Sequence, residues 1–409
     1  MATIRPFPAL RPAPERAAQV SAVPYDVVTT EEARQLASGN PLSFLHVSRP
    51  EIDLPPGTDP HSDEVYSRAA GNFELLKRRA PLVSEGYPAV YVYRLRMGDH
   101  EQTGVAATCS IDEYDADGIL KHERTRKDKE DDRTRHMIEL SAQTGPVFLT
   151  YRDAPTVDAL VADTSREEPL YDFTSEDGVQ HTLWKMSADA GYAAVDAFSP
   201  VPALYIADGH HRAKSASRAR EHYRALYPAD GGAGAFNFFL AVLFPASQVR
   251  ILAYNRVVSD LNGRSVEEFL DALRKKFRVS EGAPAAPRRR GEMSVFVGSG
   301  WYGLSPLNPD ASSKNADDLD VTVLQDEVLE PILGIRDIRT DKRVDFVGGV
   351  RGPAEIERRV RAGQAAAGFS LYPVSLDQVM ACSDARGIMP PKSTWFEPKL
   401  RDGLLIHQL

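Results

Sequence analysis

Cysteine is scarce in this chain: its 409 residues contain two, Cys109 and Cys382. Two thiols exclude a disulfide framework and a four-thiolate zinc site, and they suit a reducing compartment. A chain this long needs neither device, because it can bury a large core of its own. Long apolar runs are lacking as well. The richest, around Phe238-Phe239-Leu240-Ala241-Val242-Leu243-Phe244, is shorter than the about 20 residues that span a bilayer, and it reads as a buried strand. Positive charge is in deficit, with 49 Lys plus Arg against 58 Asp plus Glu and a net charge of -9. That balance disfavours a duplex-wrapping nucleic-acid binder, whose basic surface must displace counterions. The start, Met1-Ala2-Thr3-Ile4-Arg5-Pro6-Phe7-Pro8, has no apolar signal core, so a cytoplasmic chain is expected, with no membrane partner.

Nucleotide-binding signatures of the common kinds are missing too. There is no GxxxxGK[ST] loop, no kinase Gly-rich loop and no His-Arg-Asp catalytic loop. Gly298-Ser299-Gly300-Trp301-Tyr302-Gly303 does match GxGxxG and follows the strand-like Met293 to Val297. However, Leu304-Ser305-Pro306 comes next, where no helix can start to receive a pyrophosphate, so the segment reads as a hairpin turn.

What the chain does have is an ordinary globular composition, 42% hydrophobic and 26% charged, at a length that suits two or three domains. Strand-like and helix-like stretches alternate, which predicts an α/β or α+β architecture. Thr29-Thr30-Glu31-Glu32 supplies an N-cap and an acidic first turn. Ala89 to Tyr93 and Gly104 to Thr108 read as paired strands around a turn at Gly98. Gly145 to Tyr151 and Ala203 to Ala207 read as further strands, and Ser265 to Phe277 as a helix. Gly282 to Arg290 is a linker or long loop by composition. The expected division is a catalytic region over residues 1–262 and a smaller α+β region over 263–409, whose end (389–400) returns to the site.

Three segments carry candidate chemistry. In Tyr205-Ile206-Ala207-Asp208-Gly209-His210-His211-Arg212-Ala213-Lys214-Ser215-Ala216 a strand delivers a carboxylate and a glycine, and a helix begins at once. The free N–H groups and positive end of that helix make an anion site. Gly209 allows close backbone approach, Arg212 can fork phosphate oxygens, and Asp208 either holds a metal or orients a histidine. Ala213, Ala216 and Ala219 form a small-residue stripe for packing on the sheet. A zinc site is disfavoured here, because adjacent histidines point in different directions on a helix.

The second segment is the charged run Lys121 to His136. Thr125 and Asp128 fit a capping pair, which starts a helix just after Glu123-Arg124. Arg126/Glu130 and Lys127/Asp131 then pair at i,i+4 along a solvated face covering Arg126 to Arg135. Lys121, His122 and Glu123 lie at the strand-to-helix junction, where Glu123 serves either as general base or as metal ligand. The third segment, Met389 to Leu400, sets Lys392, Ser393 and Thr394 in a Pro-stiffened loop that either meets phosphate or is simply pinned by Trp395 and Phe396.

Ile206 to Ala216 resembles the phosphate-binding motif of the ParB/sulfiredoxin superfamily, where partition proteins carry Gly-Glu-Arg-Arg and sulfiredoxins Gly-Cys-His-Arg. Asp-Gly-His-His-Arg is most similar to the free-serine kinases of that superfamily. The whole chain resembles a domain-of-unknown-function family related to those kinases. The matching blocks are Pro24-Tyr25-Asp26-Val27, Lys121-His122-Glu123-Arg124-Thr125, Gly145-Pro146-Val147, Asn255-Arg256-Val257-Val258 and Met389-Pro390-Pro391-Lys392-Ser393-Thr394. Position 210 is His where sulfiredoxins carry their catalytic cysteine, so sulfinic-acid repair is not implied. No helix-turn-helix follows the motif, so partition-type DNA binding is not implied either.

The resemblance implies a ParB/sulfiredoxin-like mixed-sheet catalytic domain with ATP or ADP and Mg2+ as cofactors. It implies phosphoryl transfer to the hydroxyl of a small metabolite, free L-serine first. In that reading Asp208, Gly209, His210, His211, Arg212, Lys121, Lys392, Ser393 and Thr394 hold the nucleotide, and Asp208 holds the metal. Glu123, His210 and His211 are catalytic, and Arg49 or Arg124 takes the substrate carboxylate. The expected partners are that hydroxylated amino acid and the nucleotide, with a homodimer left open and nucleic acid disfavoured. The rival expectation is a nucleotide-gated binding module of the same superfamily that transfers nothing.

Overall fold

The computed structural model describes residues 2–307 and 319–409. The chain forms two compact units, Met1–Val249 with Pro398–Leu409, and Arg250–Glu397. The boundary falls before the expected residue 262 because Asn255–Val258, read from sequence as the close of the first region, is a strand of the second unit's sheet.

The first unit is built on a mixed sheet of nine strands. In chain order these are β1 (Ile4–Arg5), β2 (Tyr91–Met97), β3 (His100–Ser110), β4 (Ile119–Leu120), β5 (Val147–Tyr151), β6 (Tyr171–Thr174), β7 (Gln180–Lys185), β8 (Leu204–Asp208) and β9 (Phe238–Pro245). They lie in the order β4-β8-β5-β9-β3-β2-β7-β6, with β1 added along β3. β8 is parallel to β4 and β9 to β5, while the other pairs are antiparallel. Every residue of β9 and β5 is buried, as near-continuous apolar runs demand of strands covered on both faces. β2 and β3 form the expected hairpin through Gly98, which sits at φ 58°.

One face of the sheet packs a core that includes Val105, Leu149, Ile206, Phe239 and Leu243 with Ala213, Ala216 and Ala219. Those three alanines lie on helix α3 (His210–Leu226), and their small side chains let it lie close to the strands. A second core gathers Phe44, Leu45, Val47, Phe73, Leu76, Leu140 and Ile406 around α1 (Asp63–Arg79) and α2 (Lys127–Leu140). Thr29 is the expected N-cap, and it closes a capping box with Glu32.

The charged run departs from its expected form. α2 begins at Lys127 with Arg126 at the N-cap and no side-chain cap, and the Thr125 hydroxyl donates to Glu130 instead. Arg126 pairs with Asp128, while Arg218 of α3 takes both Glu130 and Asp131. Nor is the face solvated throughout. Asp132 and His136 are buried, Asp132 accepts from the Tyr66 hydroxyl at 2.8 Å, and the Arg133 guanidinium lies 4.2 Å from the Tyr25 ring centroid. A run of charges reads as solvated until a neighbouring helix supplies partners, and α1 and α3 supply them here.

The second unit has a six-stranded sheet with its own core, including Phe269, Val295, Leu324 and Phe369. Met293–Val297 and Gly300–Pro306 pair antiparallel across Gly298-Ser299, so the GxGxxG match is a hairpin turn. Gly282 to Arg290 connects two strands of this sheet, Phe277–Glu281 and Met293–Val297, and is a loop within the unit. No helix among the described residues is long and apolar enough to cross a membrane.

The last residues complete the first unit. Asp402 and Ala22 exchange backbone hydrogen bonds at 2.9 and 3.2 Å, Ile406 and Leu10 exchange two at 3.0 Å, and Leu409 N–H donates to Ser141 at 2.9 Å. Arg401 is buried against His181, Ser175 and Asp177. Deleting residues 398–409 should therefore lower the thermal midpoint by about 10 °C or more, the shift expected for several kcal/mol in a unit of this size. A melt followed by circular dichroism reads this, and an unchanged midpoint contradicts it.

Candidate active site

The site is built where β8 stops. Leu204 to Ala207 are buried, and the pairing of β8 with β5 slips between Ile206 and Asp208. Such a bulge re-aims the next side chain, and here it turns out the Asp208 carboxylate. Gly209 follows at φ 95°, a left-handed conformation that costs any other residue about 1–2 kcal/mol. A Cβ at this position would also lie 3.0 Å from the Arg212 Nε. The chain can therefore reverse from strand to helix within one residue, and α3 begins at His210.

Arg212 does not face outward, which corrects its expected role as a phosphate fork. It is buried, its Nη1 donates to the Pro146 carbonyl, and its Nη2 lies 3.2 Å from Asp208 Oδ2. Lys399 Nζ approaches the same oxygen at 3.4 Å. Burial alone would raise the Asp208 pKa, but Lys399 and Arg212 outweigh it and hold the carboxyl well below the usual range. Both cations are paired with Asp208, so this carboxylate is poorly suited to Mg2+.

The two histidines diverge, as helix geometry requires. His210 is buried, and its ring stands perpendicular to that of His122 with centroids 4.5 Å apart. Its Nε2 faces the His122 backbone N–H at 3.4 Å. His211 Nε2 accepts from the Arg126 N–H at 3.0 Å. Both contacts hold the non-helical residues 122–126 against the first turn of α3, which explains why α2 starts later than its capping pattern suggests. Burial pushes the His122 pKa down to about 4, and burial with the neighbouring His122 pushes His210 well below its ordinary value. Glu123 is half-buried beside them. Among the described residues, His122, Glu123 and His210 are the one His/Cys/Asp/Glu group whose ligand atoms all lie within 4.8 Å of one another.

Other expected residues are placed differently. Lys121 Nζ donates to the Tyr114 carbonyl at 2.8 Å and to Asp117 at 2.7 Å, so its charge is answered away from the helix start. Arg49 pairs with Glu51 at 2.8 Å and donates to the Tyr25 carbonyl and the Thr30 hydroxyl. Arg124 is exposed. Lys392, Ser393 and Thr394 belong to the second unit, where Ser393 donates to the Pro390 carbonyl and Arg256 to the Lys392 carbonyl.

Sequence reasoning missed a buried polar group behind Arg212. Tyr25, Arg133, Gly145, Arg212 and Asp402 line a cavity of about 20 Å3, room for one water. Asp402 is buried, and burial raises its pKa to about 7 despite Arg212 nearby. A Cβ on Gly145 would lie 2.3 Å from Asp402 Oδ1, so only glycine fits there. The blocks Pro-Tyr-Asp-Val and Gly-Pro-Val signalled two sides of this group. Asp402 and Lys399 had no local signal, because their partners lie far away in sequence.

Removing the Arg212 guanidinium leaves the Pro146 carbonyl and part of the Asp208 charge unanswered. Arg212→Ala should cost about 3 kcal/mol in chemical denaturation, as for other broken buried pairs. A loss within measurement error contradicts this role. Acid should destabilise the fold. Burial lowers the pKa of His122 and His407 to about 4 and of His136 and His181 to about 3, and that of His210 well below its ordinary value. The unfolded chain takes up protons on these rings near pH 6.5 while the folded chain does not, so stability falls as pH drops from about 6.5 towards 4. Asp402 acts oppositely: its contribution is present at low pH and lost as pH rises to about 7. Asp320, raised to about 6, and Asp158 act in the same sense as Asp402, but five rings outweigh three carboxyls, so the thermal midpoint should fall below pH 6.5, and Asp402→Asn should stabilise the protein above pH 7. A midpoint independent of pH between 4.5 and 6.5 contradicts the assignment.

Among solved structures the chain is similar to a free serine kinase in complex with AMP, at 14% identity over 72% of this chain and 86% of that one, with a TM-score of 0.34. It is also similar to a conserved hypothetical protein from Pyrococcus furiosus, at 13% identity over 73% and 94% with a TM-score of 0.33. A third is C-terminally truncated SbnI from Staphylococcus aureus, at 10% identity over 71% and 82% with a TM-score of 0.36. Among curated proteins none matches. Residues 4–322 match the family described as "Protein of unknown function (DUF1015)", and the chain belongs to that family.

Proposed function

We propose that the protein is a cytoplasmic nucleotide-dependent phosphotransferase acting on the hydroxyl of a small metabolite, with free L-serine as the first candidate acceptor and ATP or ADP as donor. The observation that carries the reading is the start of α3. A strand ends in a bulge, Gly209 reverses the chain without a Cβ, and a 17-residue helix begins with its N–H groups free of side-chain caps. The positive end of such a helix accepts phosphate oxygens through the backbone. Arg212 and Lys399 bring two positive charges to one carboxylate at the same place. The net charge of that trio favours a polyanion.

Phosphoryl transfer asks a protein for positioning and charge neutralisation more than for covalent chemistry. In this reading the amides of Gly209 to His211 cradle the phosphates, and Arg212 holds the cradle from behind. His211 fixes the 122–126 segment, so Glu123 stands at the rim where the acceptor hydroxyl would lie. Glu123 promotes loss of the hydroxyl proton, by itself or through a bound cation. Exposed Arg124 is the better placed of the two candidate arginines for a substrate carboxylate, since Arg49 is held by Glu51.

The test is phosphorus NMR of the full-length protein with ATP or ADP, a divalent cation and a panel of hydroxylated amino acids. A new phosphomonoester resonance is expected. Nucleotide binding without product would overturn the transferase and leave a nucleotide-gated binding module. Glu123→Gln should lower turnover about 100-fold or more while nucleotide affinity stays within a few-fold; unchanged turnover removes Glu123 from the reaction.

A further inference from the structure

We propose that His122, Glu123 and His210 form a binding site for a divalent transition metal such as Zn2+, Mn2+ or Co2+, selective over Mg2+. The inference deepens the phosphotransferase reading by assigning Glu123 as a ligand, but metal binding itself does not depend on a nucleotide.

The ligand atoms lie within 4.8 Å of one another. A metal about 2.0–2.2 Å from each ligand sets tetrahedral ligand atoms about 3.4 Å apart, so these must close by up to about 1.5 Å, within reach of side-chain rotation. The scaffold is already ordered on both sides. His210 is the first residue of α3, locked by Gly209 and the Asp208–Arg212 pair. His122 and Glu123 sit on the segment latched by His211 to the Arg126 backbone. The His122 ring is also hydrogen-bonded to the backbone carbonyl of Ile206. Donation from one ring nitrogen to a carbonyl leaves the other with its lone pair, which is the outer support that metal-binding histidines commonly have.

The donor set decides the kind of ion. Mg2+ favours six oxygen ligands and gives up water reluctantly, whereas two imidazoles and one carboxylate suit the borderline transition metals and leave coordination positions open. A phosphate oxygen or acceptor hydroxyl would complete the shell. The structural alternative is that two buried rings merely pack edge to face. That alternative does not involve Glu123, whose carboxylate lies within 4.8 Å of a ligand nitrogen of each ring.

The experiment uses the metal-stripped full-length protein without nucleotide, titrated with Zn2+ and with Co2+ by calorimetry and visible absorption. One equivalent should bind, with Co2+ ligand-field bands that survive a large excess of Mg2+. His122→Ala and His210→Ala should each weaken binding at least about 100-fold and Glu123→Gln about 10-fold or more, whereas His46→Ala, at a histidine paired with Asp53 elsewhere, should leave it unchanged. Circular dichroism checks that the variants fold. Pulsed EPR of the wild-type protein with bound Mn2+ should show imidazole nitrogen couplings and needs no variant. Absence of binding, displacement by Mg2+, unaltered affinity in the His variants or missing nitrogen couplings would each overturn the proposal. Nucleotide affinity of the stripped protein is measured separately, so the metal site and the nucleotide site fail independently.

Discussion

The Asp208 carboxylate, held between Arg212 and Lys399, is the contact on which the first unit's geometry turns. A guanidinium as buried as that of Arg212 is costly unless its charge and donors are answered. Asp208 answers the charge and the Pro146 carbonyl takes one donor, while the buried Nε–H is left without a partner among the described residues. This one cluster ties together the end of β8, the start of α3, the entry to β5 and the C-terminal segment through Lys399. The buried group beyond it, with Tyr25, Arg133 and Asp402, extends the same charge pattern inward.

The histidines then tie that fixed helix start to residues 122–126. His210 meets His122, and His211 meets the Arg126 backbone, so a single helical turn orders a loop more than eighty residues earlier in the chain. Adjacent residues point apart on a helix, and the pair exploits this by holding the same loop at two points. Burial disfavours the charged form of both His122 and His210, so neither ring is suited to add positive charge on that side.

Local chemistry made much of this legible from sequence. The apolar run at Phe238–Phe244, the hairpin at Gly98, the false GxGxxG turn and the Thr29 cap all follow from interactions within a few residues. The strand–Asp–Gly–helix junction was legible for the same reason. What could not be read depended on distant partners. Arg212 looked like an outward fork because nothing local shows that Pro146 lies beneath it. The run from Arg126 to Arg135 looked solvated until α3 brought Arg218 and α1 brought Tyr66. Asp402 and Lys399 are ordinary tail residues in sequence, and the burial of the one and the pairing of the other with Asp208 come from the return of the last segment to the first unit.

Hydrogen–deuterium exchange of the intact protein with and without ATP or ADP tests the central claim most directly. The account predicts that nucleotide slows exchange at the amides of residues 209–212 and in the latched segment 121–126, with little change across the six-stranded sheet. Protection confined to other regions, or none at saturating nucleotide, would contradict it.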